Sequence, residues 1–339
     1  MAELKTYELY GGGVEMIVST FGARVMKLFV EGRDGEMADI VLGYNTNEEY
    51  LDNKGERFLG AVCGRFANRI AEGKFTIDGV EYNVPINNNG QSLHGGIKGI
   101  DSVVWDVVKA TDSRIDFRYV SVDGEEGYPG ELTIDISYEL TEDAEFVIEY
   151  EARTTKTTPV NLTHHSFFNL RGEGNGDVNS HILKINADRF IPINEVSIPT
   201  GEIAEVAGTP FDFREAKAIG TDLEVEHTQL KMGAGYDHCW VLNGKQGAMK
   251  LAAVVVEPES GRRMEVYTDQ LGIQFYGGNF FDGKTVAKDG EGTYDHRGSL
   301  ALETQLFPDS PNQPQFPSTI LEPGEVYTHR CIYKFDTVE

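Results

Sequence analysis

Eight histidines occur in 339 residues. Two of them, His164 and His165, are adjacent within Asn161-Leu162-Thr163-His164-His165-Ser166-Phe167-Phe168-Asn169-Leu170. Histidine is the side chain whose ordinary pKa lets it take or give a proton near neutral pH. In an extended segment neighbours point to opposite faces. One of the pair then faces a cleft, and the other faces core or solvent. Taken alone, the stretch is better read as two satisfied structural histidines. Five further places set polar groups among apolar or glycine-rich neighbours. In Gly64-Arg65-Phe66-Ala67-Asn68-Arg69-Ile70 two arginines stand four apart, and their planar donor forks suit a carboxylate or a sugar hydroxyl. The plainer reading is a pair of surface cations, preferred for Arg65. In Asn87-Asn88-Asn89-Gly90-Gln91-Ser92-Leu93-His94-Gly95-Gly96 the glycines allow close backbone approach to a ligand; otherwise this is an Asn-Gly turn with a bystander histidine. Asp237, in Tyr236-Asp237-His238-Cys239-Trp240, is either a site acid or a strand-end cap. In Gly272 to Phe280, Gln274 and Asn279 offer hydrogen bonds to hydroxyls and the aromatics offer a face for stacking. As an alternative, this is an amphipathic strand ending in a glycine turn. Finally, Glu303 interrupts the apolar run Leu300-Ala301-Leu302-Glu303-Thr304. A buried carboxylate is costly unless paired or functional, which makes Glu303 the strongest single candidate.

The elements that must carry these groups read mostly as strands. Leu132 to Leu140 alternates apolar and polar residues, the pattern of a half-buried strand, and Phe146 to Tyr150 follows a polar turn. Asp78-Gly79 between Phe75-Thr76-Ile77 and Val80-Glu81-Tyr82 signals a two-residue hairpin. Met264 to Thr268, Ile273 to Tyr276 and Val326 to Phe335 are further strands. Helical signals are short: a capping box at Thr46-Asn47-Glu48-Glu49, then Phe213 to Ala218 and Thr221 to Glu226. The 38 glycines fit a chain with many tight turns. There is no linker, low-complexity block or convincing repeat. The expected architecture is all-β, a large antiparallel β-sandwich with a few short helices, residues 1–339 forming a single domain. A two-domain all-β chain is the alternative.

Bulk properties narrow the partners. Hydrophobic content of 40% and charged content of 25% are those of a soluble globular protein. No apolar run is long enough for a membrane helix, and the N-terminus lacks a signal-peptide pattern. Cys63, Cys239 and Cys331 have no metal-type spacing and suit a reducing, cytoplasmic setting. The net charge is −25, with 55 acidic and 30 basic residues. Such a surface repels nucleic acid and anionic lipid and disfavours a phosphorylated substrate. A neutral substrate is indifferent to it.

In combination and order, these motifs resemble the aldose 1-epimerases, the galactose mutarotases. The resemblance rests on Gly64-Arg65 with Ala67-Asn68-Arg69-Ile70, Ser92-Leu93-His94-Gly95-Gly96 and Gly124-Glu125-Glu126-Gly127-Tyr128-Pro129-Gly130. It continues through Asn161-Leu162-Thr163 with His165 to Leu170, Asp237-His238, Gln274-Phe275-Tyr276 with Gly278-Asn279-Phe280, Leu302-Glu303-Thr304-Gln305, and Asn312-Gln313-Pro314 with Phe316-Pro317. It covers essentially the whole chain. It implies a galactose mutarotase-like supersandwich with an open cleft on one sheet. It also implies Glu303 as general base, His165 as general acid and His94 as the second active-site histidine. Asn68, Arg69, Ser166, Phe167, Asp237, Gln274 and Phe280 match substrate-binding positions. His164 sits where relatives vary and is given no role; Cys239 is given none either. The implied reaction interconverts the α and β anomers of a free hexose such as galactose or glucose. It needs no cofactor and no metal. The expected partner is the small aldose, with no nucleic acid and no membrane, and the chain is expected to be a monomer or homodimer.

Three rival readings use the same residues. A glycosidase would employ two carboxylates, Asp237 and Glu303, leaving the histidines without a task. A metal enzyme would gather His94, His165 and an acid around zinc. A catalytically silent sugar-binding module would keep Asp237, Gln274 and the aromatics without requiring Glu303 and both histidines. Apart from these three, a closer cousin of the implied enzyme, a hexose-phosphate epimerase, would want a basic cluster, and only Arg65 and Arg69 are near.

Overall fold

Alternating burial builds the larger of the sheets. The computed structural model describes residues 3–52, 55–288 and 290–339. In the strand Leu132–Leu140, residues Leu132, Ile134, Ile136, Tyr138 and Leu140 are all buried. Each apolar side chain of this size contributes roughly 1.5–3 kcal/mol when taken from water. This strand pairs antiparallel with Glu145–Thr154 on one side and Arg114–Ser121 on the other. From Asp106–Ala110 at one edge, the nine-stranded sheet runs through these strands to Tyr327–Thr337, Arg262–Thr268, Lys250–Val256, Ile182–Ile185 and Lys217–Ala218.

A second, five-stranded sheet carries the candidate residues. Its order is Ala204–Glu205, Arg189–Ile191, Asp237–Val241, Gly272–Tyr276, Ala301–Gln305, every pair antiparallel. One face supplies Trp240, Ile273, Phe275 and Leu302 to the same apolar cluster as Ile134, Ile148 and Val266 of the large sheet. The alternate residues, Asp237, Gln274 and Glu303, therefore stand on the other face. A four-stranded sheet, Thr6–Gly11, Val14–Ser19, Arg24–Glu31 and Met37–Asp39, adds Leu9, Val18 and Leu28 to that cluster. The architecture is the expected strand-rich sandwich, with short helices at Asn47–Asp52 and Thr228–Met232.

Local signals are realised in kind. At the Asp78-Gly79 hairpin both residues have positive φ, 50° and 79°, as the tight turn requires. Thr46 and Glu49 cap reciprocally: the Glu49 N–H donates to Thr46 Oγ1 at 3.3 Å and the Thr46 N–H to Glu49 Oε2 at 2.9 Å. Phe213 to Ala218 is not helical. Phe213 is buried in the core, and Lys217–Ala218 is an edge strand on Ile182–Ile185. Of Thr221 to Glu226, only the first residues belong to a 3-10 turn, Ile219–Asp222. The helix Thr228–Met232 was not anticipated; His227 caps it by accepting the Gln229 N–H at 3.2 Å.

Candidate active site

Glu303 lies in the middle of Ala301–Gln305 and directly opposite Gln274 on the neighbouring strand; Gln274 in turn lies opposite Cys239. Gln274 Nε2 donates to Asp237 Oδ1 at 2.7 Å, and Arg69 Nη1 stands 3.9 Å from Asp237 Oδ2. Glu303 is 2% exposed. Among the described residues its Oε2 and the Gln274 Oε1 have no hydrogen-bond partner. Buried polar atoms are normally satisfied, so the open acceptor of Glu303 is suited to a hydroxylated ligand.

The histidine pair divides as an extended segment should. Thr163–His165 pairs with Ala61–Cys63. His165 turns to the row, its Nε2 3.4 Å from Glu303 Oε1. His164 turns to the core, where Nε2 lies 2.6 Å from Ser166 Oγ and Nδ1 3.4 Å from the Tyr138 hydroxyl. Rings of Tyr138, Phe146 and Tyr333 surround it. His164 is thus a structural histidine. Ser166, matched to a substrate-binding position, spends its hydroxyl on His164 and does not line the cleft. Thr163 Oγ1 donates to the Thr304 carbonyl at 2.9 Å, tying the His165 strand to the Glu303 strand.

His94 comes from a loop held on several sides. Its φ is +50°. The Asn68 N–H donates to His94 Nδ1 at 3.1 Å, and the His94 N–H to the Asn68 carbonyl at 3.0 Å. With Nδ1 accepting, the neutral ring carries its proton on Nε2 and can donate there. Gly95 is obligatory: a Cβ would lie 1.8 Å from the Gly64 carbonyl oxygen. The close approach is therefore to backbone, not to a ligand as its position suggested. Asn87 accepts from the Leu93 N–H at 2.7 Å and donates to the Gly96 carbonyl at 2.9 Å. Arg57 grips Asp101 with two bonds of 2.8 Å and donates to the Gly96 carbonyl at 3.0 Å. Several polar motif residues serve this scaffold. Asn161 bridges the Ala67 carbonyl and both backbone groups of Leu306. Asp309 accepts from the Ala71 N–H, Asn312 and Gln313, and its own N–H donates to the Arg69 carbonyl.

Arg65 corrects the surface reading. It is 2% exposed and donates to Ser121 Oγ and to the carbonyls of Ser121, Val122, Pro129 and Gly130, at 2.8–3.2 Å. It fastens the Gly124 to Gly130 loop rather than meeting substrate. Asn279 is likewise spent on the Gly233 and Tyr236 carbonyls.

These pieces close around a cavity of about 330 Å³. Asn68, Arg69, His94, His165, Phe167, Asp237, Phe280 and Glu303 line it. Gln274 does not; it holds Asp237 from beside it. Phe280 is 62% exposed and stacks on Tyr276 with centroids 6.0 Å apart, forming an apolar rim. Phe58 packs edge-on to His94 at 4.7 Å, and His165 stacks on Phe167 at 4.6 Å. Glu56, Phe58, Asn88 and Tyr276 also line the cavity and were not singled out as site residues. Tyr276 stood in a motif noted for its aromatics; Glu56 and Phe58 carried no signal. A larger hollow of about 490 Å³ over the nine-stranded sheet is lined by Arg114, Asp116, Glu149 and Arg330. Those charges pair with one another.

Burial dominates the electrostatics of the site. It drives Glu303 well above the ordinary carboxylate range; neighbouring Asp237 adds to this and Arg69 opposes it. Burial also lowers His165 to about 3, and lowers His94 well below its ordinary value, with His165 and Arg69 adding to that effect. Asp237 is raised by burial against the pull of Arg69 and Gln274. Burial thus favours the form in which a proton shared by His165 and Glu303 sits on the carboxyl.

His94, His165 and Glu303 also offer atoms within 4.8 Å of one another, close enough for a metal. The hydrogen bonding argues against it. Ligation through His94 Nε2 would put the ring proton on Nδ1, where the Asn68 N–H already donates.

Comparison with known proteins agrees with this arrangement. The family model described as aldose 1-epimerase matches residues 5–334. The chain belongs to the aldose 1-epimerase family. It is 45% identical to the galactose mutarotase of Bos taurus over 332 residues, 98% of this chain and 94% of that one. To the aldose 1-epimerase of Escherichia coli K12 it is 38% identical over 325 residues, 95% and 92% of the two chains. The solved structure of an aldose epimerase homologue from C. elegans superposes with a TM-score of 0.90 at 29% identity, covering 99% of this chain and all of that one. Galactose 1-epimerase from Lactobacillus acidophilus superposes at 0.84, 28% identical, with both chains fully covered. Within this family frame the cleft residues form one polar row flanked by two histidines. Among the described residues no helix is long and apolar enough to cross a membrane.

Proposed function

We propose that this chain is an aldose 1-epimerase that interconverts the anomers of free hexoses through Glu303 and His165, assisted by His94. The observation that carries this reading is the contact between His165 Nε2 and Glu303 Oε1, 3.4 Å apart at the base of a sugar-sized cavity. Mutarotation requires a proton to leave the anomeric hydroxyl and another to reach the ring oxygen as the C1–O5 bond breaks. Rotation about C1–C2 exposes the other face of the aldehyde, and the same transfers in reverse close the ring. Glu303 takes the hydroxyl proton and His165 gives its proton to the ring oxygen. Each such assistance is worth roughly 10²–10⁴-fold.

Burial favours placing the pair's proton on Glu303 rather than on His165. A sugar hydroxyl donating to the carboxylate favours its charged form, which moves the proton to His165 without changing the pair's total charge. His94 Nε2–H donates to the ring or aldehyde oxygen. Asp237, aligned by Arg69 and Gln274, accepts from a hydroxyl remote from C1; Asn68 and Arg69 contribute beside it, and Phe167, Tyr276 and Phe280 supply apolar faces. Ser166 supports this site only through His164. Residues 1–339 act as one domain, working in the cytoplasm as a monomer or homodimer. The test is polarimetry on freshly dissolved α-D-galactose and α-D-glucose, with and without EDTA. Acceleration unaffected by EDTA supports the reading. Absence of acceleration favours a silent binder, and loss on chelation favours a metal site.

A further inference from the structure

The cleft is unevenly charged. Among the described residues three carboxyl groups line it, Glu56, Asp237 and Glu303, against the guanidinium of Arg69. Burial holds His94 and His165 neutral near pH 7. Asp237 is engaged by Arg69 and Gln274, and Glu303 by His165. Glu56 is engaged differently. Its Oε1 accepts the Phe58 N–H at 3.1 Å, a bond within its own turn that anchors the carboxyl at the wall. Nearby Arg57 forms its hydrogen bonds with Asp101 and the Gly96 carbonyl, though its charge and that of Arg24 still favour the Glu56 carboxylate. Tyr276 lines the same cavity as Asp237 and Glu56, and its phenol is pushed up mainly by burial, with both carboxyls adding to the effect. Burial raises Glu56 above the ordinary carboxylate range. A carboxylate whose charged form is disfavoured by desolvation gains most from a cation brought beside it.

We propose that Glu56 sets the charge preference of the cleft, so that hexoses bearing a protonated amino group are substrates alongside neutral hexoses while uronates are rejected. This rests on the mutarotase reading and names a substrate class within it. An ammonium carried into this partly desolvated cleft gains a charge-assisted partner at its carboxyl-lined wall, whereas a uronate carboxylate adds like charge to that wall. The chain's net charge of −25 biases encounter in the same direction.

The experiment measures kcat/KM for anomer exchange of D-galactose, D-galactosamine at a pH where its amine is protonated, and D-galacturonate, using wild type and Glu56→Gln. Glutamine keeps an acceptor for the Phe58 N–H and removes only the charge. The expected result is turnover of galactosamine by the wild type. In Glu56→Gln the galactosamine-to-galactose ratio should fall by roughly tenfold and the galacturonate-to-galactose ratio should rise. A purely structural Glu56 would lower all three rates together and leave both ratios unchanged, which overturns the proposal. Galactose turnover without galactosamine turnover in the wild type also overturns it while leaving the mutarotase reading intact. Failure on every sugar sinks the mutarotase reading instead.

Discussion

His165 Nε2 and Glu303 Oε1 face each other across 3.4 Å, brought together from strands that lie 138 positions apart in the chain and are fastened by the bond from Thr163 Oγ1 to the Thr304 carbonyl. Glu303→Gln cannot take a proton, and His165→Asn cannot give one. Each should lower turnover by roughly 10²–10⁴-fold. KM should change far less, since Arg69, Asp237 and Asn68 still line the cavity. The double variant should be less impaired than the product of the singles, because groups acting as a unit are not additive. Near-normal turnover by Glu303→Gln would move the base elsewhere, with Asp237 the next candidate.

The pair's single proton fixes the pH profile. At low pH the pair gains a second proton and loses its base. At high pH it loses its only proton and with it the acid. Burial lowers His165 to about 3 and raises Glu303, so the first change lies far below the ordinary imidazole range and the second far above the ordinary carboxylate range. The profile of kcat/KM should be a broad bell with near-plateau activity still present at about pH 5, well below the ordinary histidine value of about 6.5. These limbs belong to the coupled pair rather than to either residue. An acid limb close to pH 6.5 would show that His165 titrates like an exposed imidazole.

The two arginines four apart should separate cleanly. Arg65→Ala strips donors from four carbonyls and a hydroxyl in a buried setting, and unfolding in urea should show a loss of roughly 3–5 kcal/mol. Lysine should rescue little, lacking the planar fork. Arg69→Ala should instead leave the urea midpoint nearly in place and impair turnover or sugar binding. Equal catalytic losses in equally stable proteins would point to a paired anion site.

His164 tests the core side of the strand. Burial lowers its pKa to about 3 against roughly 6.5 in the unfolded chain. Below about pH 6.5 the unfolded chain binds a proton that the native chain refuses, so the native state loses roughly 1.4 kcal/mol per pH unit from this group as pH falls. That loss continues until the folded pKa is reached. His164→Gln removes the titration, so its stability deficit relative to wild type should shrink by about 2 kcal/mol between pH 7 and pH 5. A deficit constant with pH would mean that His164 is not held neutral by the fold.

The sequence made the sandwich legible where one face of a strand is buried, because period-two alternation records that burial directly. Leu132–Leu140 is an example. The opposite orientation of His164 and His165 followed from the same period, and Glu303 was visible as a charge breaking an apolar run. Less was legible where residues act at a distance along the chain. Arg65 carries the same letter as Arg69, and only the loop folded over it shows that it is buried. Asn161, Asn279 and Asp309 sit in motifs beside the site, yet each is consumed by backbone groups of crossing loops. Glu56 and Phe58 reach the cavity wall because Arg57 is tied to Asp101, 44 positions away, a pairing that no local pattern announces.

The central claim is that this chain exchanges hexose anomers by proton transfer through Glu303 and His165. Its most direct test is the rate of magnetisation exchange between the α and β anomeric proton signals of D-galactose already at equilibrium, with wild type and with Glu303→Gln. A mutarotase should raise the exchange rate in proportion to its concentration while leaving the anomer ratio and total sugar unchanged, and Glu303→Gln should return it close to the spontaneous value. A wild-type protein that leaves exchange at the spontaneous rate, or a Glu303→Gln variant as fast as wild type, would contradict the account.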